Sequence, residues 1–396
     1  MNRSGLKTTG LICLLLCSLY ASAQKAARIH NKAILIDGHN DVTSASVVRG
    51  RDITEPQPDR HTDLPRWKKG GLDVQFFSIF TGPVAQNPKG VYADAMDQID
   101  SLEALVHRHP QQLMLAKSYQ EIQRGIKQKK LVALIGVEGG HMIENNLNKL
   151  DSLQKRGMRY LTLTWNNSNA WATSALDETL HADTLQHKGL TAFGKSVVQR
   201  LNQLGVLVDL SHTGEQTFYD AIAASTKPVI LSHSSVYNLC PVFRNVKDDQ
   251  IRAVAKNGGV ICINFYSGFI SRKFDQKLAS LSEPVKKQFI DSVSRQTGDS
   301  QQALAQWDRY FKKEMEAARP TLSDLADHID YIVKLVGDDY VGIGSDYDGI
   351  GSVPIGLEDV STYPRITAEL LKRGYSKKSI RKILGGNVLR VIRASF

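Results

Sequence analysis

The chain has 396 residues, too many for a small binding module and enough for one large barrel or two ordinary domains. With 42% hydrophobic and 23% charged residues it is globular material, which excludes disordered and fibrous classes. The net charge of +10 is spread over short clusters such as Lys68-Lys69, Lys129-Lys130 and Lys312-Lys313. No basic stripe interleaved with aromatics appears, so nucleic acid is not an expected partner.

In chain order, residues 1–23 read as a secretory signal peptide. Arg3 and Lys7 precede an apolar run from Leu11 to Leu19, and Ala21-Ser22-Ala23 supplies the small-x-small cleavage pattern before Gln24. The run is shorter than the roughly 20 apolar residues of a membrane span. Cys17 raises lipidation, but Leu15 and Leu16 stand where small residues belong, so no lipid anchor is expected. Loss of the leader removes Arg3 and Lys7 and no acidic residue, so +10 becomes +8. The expectation is an exported chain, periplasmic or secreted, with 24–396 forming one domain. Cys13 and Cys17 leave with the leader; Cys240 and Cys262 remain, and a single bridge or two buried thiols fit them equally.

The first strand, from Ala33, is AILIDGHND, an unbroken apolar run that closes on His39 and Asp41. Residues i and i+2 of a strand point to one side, so this imidazole and carboxylate can serve one point. Seven more apolar runs follow: from Asp73, Leu131, Tyr160, Gly205, Pro228, Gly259 and Tyr340. Helical patterns lie between most of them, at 92–109, 145–155, 191–204, 215–224, 248–256 and 322–336. Near-continuous apolar strands alternating with helices imply parallel strands covered by helices. Eight such units predict a (β/α)8 barrel, with a polar helical insertion at about 267–319 between the seventh and eighth strands. An open doubly wound sheet would want a Gly-rich phosphate loop after its first strand, and none is there.

In such a barrel the chemistry sits at the C-terminal ends of the strands. Those ends carry His39 and Asp41 (first strand), Glu138 (third), His212 (fifth), His233 (sixth) and Asp346 (eighth). Several other histidines (His107, His109, His181, His187 and His328) have no such placement and are expected on the surface. Three His with an Asp and a Glu suit Zn2+ and, less often, Mn2+, Fe or Co2+. Five ligands exceed what one tetrahedral zinc with an open position needs. The surplus predicts two metals about 3.5–4 Å apart, with Glu138 bridging, His39 and Asp41 on one ion, and His212 and His233 on the other. A hydroxide between two such ions is a nucleophile at neutral pH, and Asp346 can carry its proton to a leaving amine.

These residues sit in motifs that resemble the membrane (renal-type) dipeptidases, a metallopeptidase family of the amidohydrolase-type barrels. The matching pieces are IDGHND, GVEGGH followed by GMRYLTLT, LVDLSH, PVILSHSSVYNLC, RNVKDDQIR, and GSDYDGI with GLEDVSTYP. They run in order along essentially all of 24–396. The resemblance implies a binuclear zinc enzyme that cleaves dipeptides, with His39, Asp41, Glu138, His212 and His233 as ligands. It also implies that Arg244 binds the substrate carboxylate and that Asp346 is proton carrier and amino-group contact. A planar, always charged guanidinium suits bidentate capture of a carboxylate; an ion pair with Asp248 or Asp249 is the competing reading of Arg244. One position departs from the family: where the animal members have a substrate-contacting His after RYLTLT, this chain has Trp165. The animal members are anchored at the C-terminus by lipid, whereas RVIRASF offers no hydrophobic tail, so a soluble exported protein is expected. Two other readings compete: an amidohydrolase of N-acyl amino acids, small amides or lactones, and a non-catalytic binding protein. A homodimer is compatible with the sequence.

Overall fold

A computed structural model describes residues 23–396, so the leader read at 1–23 lies, apart from Ala23, outside the described residues. One nine-stranded sheet is built from β1 (Ile36–Asn40), β2 (Val74–Phe80), β3 (Leu113–Leu115), β4 (Leu131–Glu138), β5 (Met158–Thr162), β6 (Leu207–Asp209), β7 (Ile230–Leu231), β8 (Val260–Ile263) and β9 (Val341–Ile343). Every pairing is parallel, and β2 pairs with both β1 and β4 while β1 pairs with β9. That ring closes on eight strands and is the (β/α)8 barrel expected. β3 lies outside it, pairing only with Leu131–Ala133 at the start of β4, before β5 takes over that edge at Ile135. It is too short, at three residues, to leave a periodic signal in the sequence.

The strands form where they do because both of their faces are covered. All eight residues of β4, LVALIGVE, are buried, as parallel strands under a helical layer require. Alternate side chains separate two cores. Phe77, Ile79, Ile135 and Val137 pack outward with the helices. Val74, Phe76, Val132, Leu134 and Tyr160 pack with Val388, Val391 and Ile392 of the C-terminal helix Asn387–Ser395. That helix therefore stops the N-terminal end of the barrel. The insertion holds helices Ser267–Ile270, Arg272–Ser280, Glu283–Thr297 and Ser300–Ala318. Its own apolar cluster includes Phe274, Trp307 and Met315. Cys240 and Cys262 are buried free thiols. Among the described residues no helix is long and apolar enough to cross a membrane.

His328 corrects one expectation. It lies on the helix Leu322–Val336, whose start is fixed by Thr321 and Asp324 capping each other's backbone N–H groups. The buried face is Leu325, Ala326, His328, Ile329 and Ile332, so His328 is in the core and not on the surface. Its position on the apolar face was readable from the 3.6-residue period; the polar side chain obscured it. Val236 N–H donates to its Nδ1 at 3.0 Å, and its Nε2–H donates to the Ile270 carbonyl at 3.0 Å. The imidazole thus joins two loops only while neutral, and burial lowers its pKa to about 4.

A prediction follows for acid stability. A His whose folded pKa lies below its unfolded value binds fewer protons when folded, so stability falls as pH drops from about 6.5 to about 4. The upper limit of the slope is about 1.4 kcal/mol per pH unit. His328→Gln should lose about 1–2 kcal/mol at pH 7 through its broken hydrogen bonds. It should also flatten the decline between pH 6.5 and 4.5 in urea unfolding. Parallel wild-type and variant curves would show that His328 does not contribute to the acid slope.

Candidate metal centre and active site

The sequence-predicted residues lie just past the C-terminal ends of their strands and converge on one point. His39 is fully buried on β1, and Glu138 is the last residue of β4. His212 follows β6 and His233 follows β7 by turns of two or three residues, as Asp346 follows β9. Glu138 Oε1 lies 3.0 Å from His212 Nε2 and 3.4 Å from His233 Nε2. Its other oxygen, Oε2, lies 3.5 Å from His39 Nε2. His39 Nε2 is also 3.4 Å from Asp41 Oδ2 and 4.0 Å from Asp346 Oδ1. Two overlapping donor sets result, His39–Glu138–His233 and His39–Asp41–Asp346.

The outer nitrogen of each imidazole fixes what the inner one presents. Asn166 Oδ1 faces His212 Nδ1 at 2.9 Å and, as an amide oxygen, can only accept. Ser232 Oγ donates to Asp209 Oδ2 at 2.7 Å, so it accepts from His233 Nδ1 at 2.8 Å. His39 Nδ1 meets the Tyr160 hydroxyl at 2.7 Å. In His212 and His233 the partners assign the proton to Nδ1 and leave Nε2 bare. Those bare nitrogens stand 3.0 Å apart and face a carboxylate. Lone pairs so arranged repel unless a cation lies among them, and His39 Nε2 is buried without a hydrogen-bond partner. The donor set therefore fits metal ions.

The protonation states agree with that demand for positive charge. Burial would raise Glu138, but the charge of His39 and the imidazoles of His212 and His233 beside it outweigh that and hold the carboxyl well below the usual range. Burial opposes charging of His39, yet Tyr160, Glu138 and Asp41 together hold it well above the ordinary imidazole value. Burial and the neighbouring Arg244 lower His212 to about 4, while burial and His39 hold His233 well below its ordinary value. Burial, assisted by Asp41 and Glu138, pushes Asp346 up to about 8.

Arg244 is 4% exposed and donates to the His233 carbonyl at 3.1 Å, with its guanidinium 5.3 Å from the Phe269 ring centroid. Among the described residues no carboxylate lies within ion-pair distance of it. Asp248 instead accepts from Asn238 and Tyr331, which removes the ion-pair reading. Burial lowers Arg244 to about 10, which leaves it charged at neutral pH. Its Nε is buried and unpartnered. A cavity of about 670 Å³ runs from His212 to Arg244 between Thr213, Tyr219, Tyr237 and Phe243. Trp165 follows β5, half-buried, its ring 4.9 Å from that of Phe80 and 6.4 Å from that of His212.

A family model of the membrane dipeptidases, peptidase family M19, matches residues 23–395. The chain belongs to the membrane dipeptidase family. As a member it is a metallodipeptidase. Among solved structures it is similar to a probable dipeptidase, PvdM, from Pseudomonas aeruginosa, at 26% identity and TM-score 0.78 over 95% of this chain and 98% of that one. A metallo peptidase from Rhodobacter sphaeroides, liganded with a phosphinate mimic of the dipeptide L-Ala-D-Ala, has the same fold. It is 21% identical with TM-score 0.73, over 92% of this chain and 100% of that one. An amidohydrolase from Pseudomonas aeruginosa shares the fold at 21% identity and TM-score 0.70, over 93% and 98% of the two chains.

Three supporting residues were not singled out in the sequence. Asp209, fully buried, accepts from Thr162 Oγ1 at 2.6 Å as well as from Ser232. Asp37, also fully buried, accepts from the hydroxyls of Ser345 and Tyr363, both at 2.6 Å. Tyr160 reaches His39 across the barrel because Gly136 has no side chain; a Cβ there would overlap the Tyr160 ring. Aspartates inside apolar strand runs are the signal that could have found the first two.

In this dipeptidase Tyr160→Phe should leave His39 Nδ1 without its partner and weaken metal retention about 10–100-fold. Gly136→Ala should act in the same direction by displacing the ring. Metal content after graded dialysis against chelator checks both. Retention equal to wild type would remove Tyr160 from the support of the centre.

Proposed function

We propose that the chain is an exported, binuclear zinc dipeptidase that cleaves free dipeptides. The observation that supports it most directly is Glu138, whose two oxygens address different histidines, Oε1 toward His212 and His233 and Oε2 toward His39. A carboxylate so disposed is built to bridge. His39 and Asp41 would hold one ion, and His212 and His233 the other. Two such ions, when bound, acidify water and polarise the scissile carbonyl. The chain supplies the rest. Asp346 Oδ2 is occupied by the amide of Asn264 at 2.9 Å, which leaves Oδ1 to take the proton of the attacking water and return it to the leaving amine. The same carboxylate would also receive the substrate's amino group. Arg244, buried and without a carboxylate partner, would hold the other end of the dipeptide. A substrate read at both ends must be short.

Trp165 stands beside His212 where the family's His is missing. Its indole is half-exposed and not packed beneath the strands, so it would wall the site and favour apolar or flat substrate side chains. The loss of an oxyanion donor costs about 10²–10³ in kcat elsewhere, but carbonyl polarisation by bound metals would offset much of that. The same substitution favours the second reading, an amidohydrolase of N-acyl amino acids. Such substrates have no free amine for Asp346.

Chelator-treated protein should lose activity and regain it with zinc, and Glu138→Gln should lower the occupancy of both sites, measured as metal per chain. Full activity of the metal-free protein would end this reading.

Arg244→Lys keeps the charge but not the planar fork, so KM for free dipeptides should rise about 10–100-fold. Dipeptides amidated at the C-terminus should already be poor substrates and lose little more in the variant. Equal cleavage of free and amidated dipeptides would exclude Arg244 as the carboxylate binder. On the same panel Trp165→Ala should broaden side-chain preference without abolishing turnover. An unchanged ranking with a lowered Tm would assign Trp165 to packing alone.

A further inference from the structure

Opposite the metal centre, at the N-terminal end of the barrel, the fold gathers cations that are far apart in the sequence. The helix at 23–30 leads into β1 and buries Ala26, Ile29 and His30. Its other face carries Lys25 and Arg28 one turn apart, with Lys32 just beyond. Against them lies the helix Lys377–Arg381. Lys25, Arg28, Lys32, Lys377 and Arg381 line one cavity of about 490 Å³. The surface continues past Lys378 into a second depression shared with Lys377 and Arg381. All six are exposed.

These cations share one face, and no carboxylate answers them. The neighbouring carboxylates Asp338 and Asp339 are both taken by Lys382, at 2.9 and 2.7 Å. Elsewhere on the surface, cations such as Arg156, Arg200 and Arg373 stand in ion pairs of 2.5–2.9 Å. Among the described residues none of the six has a carboxylate within ion-pair distance. Six exposed cations gathered on one face with no carboxylate partner present a field that attracts anions.

We propose that this face docks on an anionic phospholipid bilayer. Two observations select that partner. No aromatic side chain lines either depression, so bases of a single-stranded nucleic acid would find nothing on which to stack. The patch is spread over two elements as a shallow surface, as juxtamembrane basic clusters that meet lipid phosphates are. Docked by this face, the barrel turns its strand ends, and with them the metal centre, away from the lipid. The inference does not depend on the dipeptide reading.

The test is vesicle co-sedimentation of the full chain and of K25E/R28E/K377E/R381E, whose positions are exposed and remote from the metal centre. Vesicles contain phosphatidylcholine alone or with roughly one-quarter phosphatidylglycerol, the anionic fraction that polybasic clusters recognise. The wild-type chain should bind the anionic vesicles at low salt and release in about 0.5 M salt, where the Debye length is a few ångströms. The variant should bind at least ten-fold more weakly, with unchanged Tm and unchanged turnover of soluble dipeptides. Equal binding to neutral vesicles, or equal binding by the variant, would overturn the proposal. So would tighter binding to a duplex oligonucleotide than to the anionic vesicles.

Discussion

Glu138 holds its carboxylate among three imidazoles at the C-terminal end of a barrel, and most of the architecture follows from making that contact tolerable. An ionised carboxylate away from water is costly unless it is paired and hydrogen-bonded. Here β1 and the turns after β6 and β7 each deliver one partner to the end of β4. Only a closed ring of parallel strands brings four such elements to one point with their C-terminal ends together. The apolar sheathing on both faces of β4 then keeps the approach rigid.

Beneath that contact lies a second tier of charge. Asp37 and Asp209 are fully buried within β1 and β6, on separate strands, and each is saturated by hydroxyl and backbone donors. Asp209 fixes Ser232, which fixes the ring of His233. Asp37 ties β1 to the turn after β9 through Ser345 and so sets the spacing between His39 and Asp346. Ligand orientation is thus decided one residue away from the ligands, by partners whose loss would loosen the centre without removing a donor.

The convergence of the candidate ligands was legible because each closes an apolar run, and a polar side chain at a strand end is conspicuous against Val, Ile and Leu. Eight strands were legible for the same reason; β3 was not, since LML has no period. His328 was misplaced because one polar residue on a helical face reads as exposed until its hydrogen-bond partners are known. Tyr160 and Gly136 could not be paired from sequence, because their relation is one of shape across the barrel. Nor does residue type reveal backbone conformation. His212 and Asp346 have φ of 65° and 62°, in the left-handed region that non-glycine residues seldom occupy. That geometry turns their side chains inward immediately after the strands end.

The pairing of β1 with β9 sets an order of events in the making of the molecule. His39 and Asp41 emerge early from the ribosome, while Asp346 and the strand that closes the ring come some three hundred residues later. Long-range contacts of this kind form late, because loop closure must come before they contribute stability. The centre is therefore assembled only when the last strand inserts, and a growing chain displays its histidines singly. Metal capture would in effect be a readout of completed synthesis: a chain broken off before β9 has His39, Asp41, Glu138, His212 and His233 in hand and no closed barrel to bring them together.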